Sequence, residues 1–336
     1  MARFIICFCI FAASLTLSLS CGPGTGTPES VEPLEVSEQP DTVKQGGVSE
    51  RDFSGAILYG GIRRTYIVHV GSTCDARVPA PLVIVLHGGG GTGEGMVRLT
   101  RFNAVADGGG FIVVYPDGVE RHWNDGRGVE WYRAHAADID DVGFISALID
   151  HLSGKLNIDA SRVYATGISN GGMMSYRLAC ELSRKVAAIA AVTASIAVDK
   201  APMWSPSRPV PVLIIAGTAD PLVPWDGGEI RLGGRTFGTV LSVPDTVRFW
   251  VEKNGCVTRP VVTQLPDADP TDGTTVRKEV YGSCRGGAEV VLYAVEGAGH
   301  TWPGGLQYLP ERVIGKTSRE FNASEVIWQF FKAHSL

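Results

Sequence analysis

The stretch RVYATGISNGG, residues 162–172, decides the fold. Residues 162–166 read as a strand, and residues 171–183 read as a helix. Between them, Gly167-Ile168-Ser169-Asn170-Gly171 satisfies G-x-S-x-G. A strand, a tight turn of small residues and a helix form the setting that lifts a serine hydroxyl above the edge of an α/β sheet. In that setting the amide of Asn170 faces the same point as the Ser169 hydroxyl. The helix N-terminus adds a favourable dipole there. The bland alternative is a structural Gly-Ser turn, and the flanking strand and helix argue against it.

Outward from this turn, apolar strand runs alternate with helical patterns. Residues 65–70, 81–86, 111–115, 186–192, 211–216 and 289–295 read as strands. Residues 96–107, 138–156, 242–254 and 321–334 read as helices, with Val142, Ile145, Leu148, Ile149 and Leu152 on one side of the second. The run 81–86 is continuously apolar, as in a parallel sheet buried on both faces. The alternation predicts one α/β domain over residues 51–336, a mostly parallel central sheet with helices on both faces.

A serine needs a base, and the base needs an orienting acid. In this architecture they follow in the order Ser, acid, His on loops after later strands. The strand 211–216 runs into Gly217-Thr218-Ala219-Asp220. The strand 289–295 runs into a loop that carries His300. Two histidines follow Ser169, and the other, His334, falls in the terminal helix pattern. Ser169, Asp220 and His300 are therefore the expected catalytic trio. Asp226 is the rival acid, further along the same loop. The strand 81–86 leads into His87-Gly88-Gly89-Gly90-Gly91. Glycines let backbone amides approach a ligand, so Gly89, with Gly90 next, is expected to join Asn170 in an oxyanion hole. Gly88-x-Gly90-x-x-Gly93 also matches a dinucleotide fingerprint. The acid expected after the next strand is not cleanly placed, since Asp117 follows Pro116 in a glycine turn, and four successive glycines match many patterns by accident.

The chain has 336 residues, 44% hydrophobic and 19% charged, with a net charge of −5. This excludes a disordered chain and argues against a nucleic-acid partner. The 42 glycines follow no G-X-Y period, which excludes collagen. Arg3 precedes an apolar run, residues 4–19, which predicts a signal peptide over 1–20. The run LSLSC, residues 17–21, resembles a lipoprotein cleavage site and makes Cys21 the candidate for lipidation. Residues 22–50 hold six acids and one base without apolar periodicity, and read as a disordered acidic tether. The negative charge sits there, while 51–336 is nearly neutral. The expected location is extracellular or outer cell envelope, either by plain secretion or through the lipid, which is then the one membrane contact. Of the seven cysteines, Cys7 and Cys9 leave with the signal. Cys256 and Cys284 flank one excursion between a helix and a strand and are expected to form a disulfide. Cys74 pairs with Cys180, or else Cys180 is a small buried apolar residue.

Several blocks in register carry a resemblance to a known family. They are LHGGGG (86–91), YPDG (115–118), HWND (122–125), DDVGF (140–144), the elbow stretch extended to residue 180, GTADPLVP (217–224) and GHTWPGG (299–305). They resemble the α/β-hydrolase esterases that group feruloyl esterases, acetylxylan esterases and extracellular poly(3-hydroxybutyrate) depolymerases. The resemblance implies an α/β-hydrolase fold, ester hydrolysis, and catalytic roles for Ser169, Asp220 and His300. The depolymerases often carry Cys in the loop after His-Gly, where this chain has Gly89, so polyester ranks second to feruloyl or acetyl esters of plant polysaccharide. A peptidase, or a non-catalytic carbohydrate-binding protein on the same fold, is a weaker reading. Trp302 and Trp123 are expected to line the substrate pocket. Asp138, Asp140 and Asp141 are expected to cap a helix and complement its dipole. Asp267, Asp269 and Asp272 lack the glycine and terminal acid of a calcium loop and read as a polar turn. No metal or cofactor is expected, and the chain is expected to act as a monomer.

Overall fold

A computed structural model describes residues 51–336. The signal segment, Cys21 and the tether over 22–50 lie outside the described residues. In chain order the elements are β1 Asp52–Tyr59, β2 Ile62–Val70, β3 Ala80–Leu86, α1 Gly93–Thr100, α2 Phe102–Gly109, β4 Ile112–Pro116, α3 Arg133–Ala136, α4 Asp141–Ser153 and β5 Ile158–Ile168. There follow α5 Asn170–Glu181, β6 Ala188–Val192, β7 Val212–Gly217, β8 Gly228–Leu232, β9 Arg235–Val240 and α6 Val243–Asn254. The chain closes with β10 Val261–Gln264, β11 Thr275–Tyr281, β12 Val290–Glu296, α7 Glu311–Ile314 and α8 Ala323–Phe331.

Ten strands form one sheet in the order β1-β2-β4-β3-β5-β6-β7-β12-β11-β10. The six central strands, β4 through β12, are parallel. The two strands at each margin are antiparallel. The predicted α/β architecture is thus present, with antiparallel margins that the strand pattern does not announce. All seven residues of β3 are buried, because helices cover both faces. Its side chains alternate between two cores. Leu82, Ile84 and Leu86 pack with Phe144 of α4, Met174 of α5 and Val247 of α6. Val83 and Val85 pack with Met96 of α1, Phe102 of α2 and Ile327 of α8.

The helices start and stop where local chemistry directs. Thr92 caps α1 by accepting from Gly95 N–H, and Asp140 caps α4 by accepting from Gly143 N–H. Arg101, at φ +52°, splits the single helix expected over 96–107 into α1 and α2. Asp140 fills the capping role, and Asp141 lies in the first turn of α4, where a carboxylate complements the helix dipole. Asp138 instead accepts from the Asn124 side chain, and Asp141 is buried in an ion pair with Arg64 at 2.6 Å. Asp269 and Asp272 accept from the backbone amides of Thr271 and Thr274, as in polar turns. No helix among the described residues is long and apolar enough to cross a membrane. Cys256 and Cys284 are joined in a disulfide. Cys74 and Cys180 are free, so the second bridge is absent. Cys180 is buried on α5, and burial pushes its thiol up to about 12.

The Arg64–Asp141 pair ties β2 to α4. Arg64 also lies over the Phe144 ring, 3.8 Å from its centroid, and Asp141 accepts from Asn124 N–H at 2.7 Å. Both side chains are almost wholly out of water, so removing one strands the other's charge. Asp141→Ala is expected to lower unfolding free energy by about 3–5 kcal/mol, measured as a reduced urea midpoint at unchanged m-value.

Candidate active site

β5 delivers the chain into Ser169 at φ +55° and ψ −122°, a conformation non-glycine residues rarely hold. Ser169 N–H donates to Val192 O at 2.9 Å, and α5 starts at the next residue. Glycine is obligatory around it. A Cβ on Gly171 would stand 2.3 Å from Leu86 O, and one on Gly167 would stand 2.6 Å from it. Both distances are far inside contact. The sharp turn projects Ser169 into a cavity of about 370 Å³, which His300, Gly89 and Asn170 also line.

His300 and Asp220 meet behind that cavity. His300 Nδ1 lies 2.7 Å from Asp220 Oδ2, with both side chains nearly inaccessible. Asp220 Oδ1 accepts from Leu222 N–H at 2.8 Å and Val223 N–H at 2.9 Å. These bonds fix the orientation of the carboxylate. Tyr308 Oη donates to His300 O at 2.8 Å and holds the histidine loop. With Nδ1 on Asp220, the Nε2 edge of the ring is left for the cavity. Asp226 is exposed and is not the carboxylate bonded to His300.

The glycine loop after β3 is shaped by His87. Its Nε2 accepts from Gly118 N–H at 2.9 Å, so the proton sits on Nδ1, which donates to Gly88 O at 2.8 Å. Gly90 N–H is engaged by Arg121 O and Gly91 N–H by Gly88 O. The amides of Gly89 and Asn170 donate to no protein acceptor among the described residues. Of the two glycines considered for an oxyanion hole, Gly89 therefore has the amide to give. The Asn170 side chain is fully occupied: Oδ1 accepts from Trp123 N–H at 2.8 Å, and Nδ2 donates to Trp123 O and Asp125 Oδ2.

The two tryptophans assigned to the pocket do not line it. Trp302 is wholly buried in the core, packs edge-on against Phe102 and donates through Nε1 to Ser324 Oγ at 3.1 Å. Trp123 is also wholly buried, and its Nε1 donates to His87 O at 2.9 Å. Each indole is consumed in holding a loop. The pocket wall comes instead from Met96 and Leu99, from Tyr132, and from Ile230, Leu232 and Phe237 of the β8–β9 hairpin. This hairpin escapes the reading by apolar runs. Its signal is Gly233-Gly234, both at positive φ between β8 and β9, the two-residue turn that right-twisted hairpins prefer. Arg127 also reaches the cavity, while its guanidinium is paired with buried Asp125. Burial alone would raise the Asp125 carboxyl, but Arg127 and His135 hold it below the usual carboxylate range.

Burial is also the main cause that depresses His87, whose imidazole titrates at about 4 rather than 6.5. The unfolded chain takes up this proton near pH 6.5 and the folded chain near pH 4, so between those values the unfolded state binds more protons. The stability from neutral His87 is complete above pH 6.5 and is lost as pH falls toward 4. At ~1.4 kcal/mol per unit this amounts to roughly 3 kcal/mol. Urea midpoints between pH 7 and 4 are expected to fall less steeply in His87→Gln than in the parent chain. Equal slopes would refute this account.

Against known proteins, residues 66–221 match the family described as Esterase PHB depolymerase. The putative esterase NocK of Nocardia uniformis subsp. tsuyamanensis is 34% identical over 282 residues, covering 82% of this chain and 80% of that protein. Feruloyl esterase B of Piromyces equi is 29% identical over 243 residues, covering 70% of this chain; the chain spans 42% of that longer relative. The crystal structure of a thermostable esterase aligns with a TM-score of 0.51 at 14% identity, over 85% of this chain and 64% of that one, a likeness of fold. The chain thus belongs to the esterase PHB depolymerase family of α/β-hydrolase carboxylic ester hydrolases.

Proposed function

We propose that the chain hydrolyses its ester through a Ser169–His300–Asp220 triad and an acyl-enzyme. The observation that carries this is the 2.7 Å His300–Asp220 contact directly behind the cavity into which Ser169 projects. His300 Nε2 takes the proton from Ser169 Oγ as the oxygen attacks the ester carbonyl. The carbonyl oxygen gains the negative charge and is held by the amides of Gly89 and Asn170. The C–O bond to the alcohol then breaks, and the alcohol leaves with the proton from His300. Water, deprotonated by His300, attacks the acyl carbonyl and regenerates Ser169. Asp220 keeps the His300 proton on Nδ1 and stabilises the imidazolium that forms.

The favoured substrates are feruloyl or acetyl esters of plant polysaccharide, supported by the resemblance to feruloyl esterases, such as the one in Piromyces equi. Hydroxyalkanoate polyester is the second reading, and the preponderance of apolar side chains in the cavity supports it. The residues 1–20 and Cys21 support export with a lipid anchor and a tether over 22–50.

Ser169→Ala is expected to lower kcat by roughly 10⁵-fold or more, with unchanged melting and loss of fluorophosphonate labelling. Undiminished turnover in that variant would sink the mechanism. Paired assays on methyl ferulate, acetylated xylan and 3-hydroxybutyrate oligomers rank the substrates; a highest kcat/KM on the oligomers puts polyester first. Intact mass of the mature protein is expected to show a chain that starts at a diacylated Cys21. A free N-terminus at any other residue would overturn the anchor.

A further inference from the structure

Beneath the oxyanion loop runs a continuous buried polar chain from the pocket wall to Asn170. Phe237 O accepts from Arg127 Nη1 at 2.9 Å. Arg127 Nε donates to Asp125 Oδ2 at 2.9 Å, and its Nη2 lies 2.7 Å from the same oxygen. Asp125 Oδ2 then accepts from Asn170 Nδ2 at 2.6 Å. The Asp125 side chain has no exposed surface and that of Arg127 is 4% exposed. Asp125 does not line the cavity, so it does not meet the ester. A buried ion pair returns little net stability against an apolar packing of equal size. The value of this one lies in what it holds still.

Asn170 follows a serine in a strained conformation, and its amide serves only if its direction is fixed before charge develops on the substrate. Three bonds to Trp123 and Asp125 grip its side chain and so fix that peptide. We propose that Asp125 and Arg127 are positioning residues: they hold the Asn170 amide in its oxyanion-binding direction and tie it to the seat of the β8–β9 hairpin. This rests on the reading of Asn170 as an oxyanion donor. Arg127 is the junction, because the same guanidinium grips both Asp125 and the carbonyl of Phe237, a residue of the pocket wall. A hairpin displaced by a poorly fitting ester would pull on the group that stabilises the reaction.

The test is a double-mutant cycle on the full chain. Asn170→Ala keeps the backbone N–H but removes the gripped side chain, and Asp125→Asn removes the charge at the centre of the grip. Each is expected to lower kcat roughly 10- to 100-fold, with KM within about threefold. A boronic acid that mimics the tetrahedral intermediate is expected to lose affinity by the same factor as kcat/KM. The double variant is expected to be no worse than the weaker single, since both cut one unit. Arg127→Lys, which keeps the charge but not the fork, is expected to fall between the parent and Arg127→Met. Folded single variants with parental kcat, or losses that multiply in the double, would overturn the proposal. If Asp125→Asn does not fold, Asn170→Ala and Arg127→Lys carry the test, and parental kcat in both overturns it. Fluorophosphonate labelling of the parent separates the two readings. Labelling away from Ser169 defeats the triad, whereas labelling at Ser169 with unimpaired variants defeats the positioning role alone.

Discussion

Backbone pressed directly on backbone is the constraint on which this site depends. Gly171, at the start of α5, sits so close to the end of β3 that a single added carbon would lie 2.3 Å from Leu86 O. The same device recurs under the other two members of the trio. A Cβ on Gly217, at the end of β7, would stand 2.3 Å from Ala298 O, and one on Gly299 would stand 2.0 Å from Ile314 O. Close to each of Ser169, Asp220 and His300 the chain carries a glycine where no side chain would fit. Packing this close leaves the loops few alternative positions. That is how Ser169, Asp220 and His300, which are far apart in sequence, come to share one corner of the molecule.

Around this apolar scaffold lie two buried Arg–Asp pairs. Arg64 and Asp141 join a marginal strand to α4, and Asp141 also receives Asn124 N–H. Asp125 and Arg127 lie next along the same loop and reach Asn170 and the hairpin. One loop, residues 117–127, therefore touches the strand layer, a helix cap, the glycine loop and the pocket wall. Asn124, Asp125 and Arg127 are turned inward and bonded, and Trp123 has no exposed surface. Burying them is costly unless every partner is present, which makes this loop a place where one substitution has several structural consequences.

The central sheet and the positions of Ser169, Asp220 and His300 are legible in the sequence because their determinants are local. A continuous apolar run such as residues 81–86, a G-x-S-x-G between strand and helix, and an acid or histidine just past a strand end are each read from a short window. The antiparallel margins are not legible, because β10 and β11 mix polar and apolar residues and owe their state to pairing partners. The tryptophans mislead for a related reason. Trp302 stands two residues from His300 in sequence, yet its side chain turns away to Ser324 in the core. Proximity along a loop does not set the direction of a side chain. The contacts of Asp125 and Arg127 are with partners more than forty and a hundred residues away, and nothing in their immediate neighbourhood points to them.

The β8–β9 hairpin forms its own two-stranded sheet, apart from the ten-stranded one. Its turn is closed by Gly233-Gly234, and most of its residues are exposed. It nevertheless supplies Ile230, Leu232 and Phe237 to the cavity. One side of the cavity wall is therefore a module separate from the central sheet. Insertions, deletions or exchanged loops here would reshape the pocket without asking any central strand to change register. Change in this part of the wall has one short segment, residues 228–240, to act upon, while Ser169, Asp220, His300 and their neighbouring glycines stay as they are.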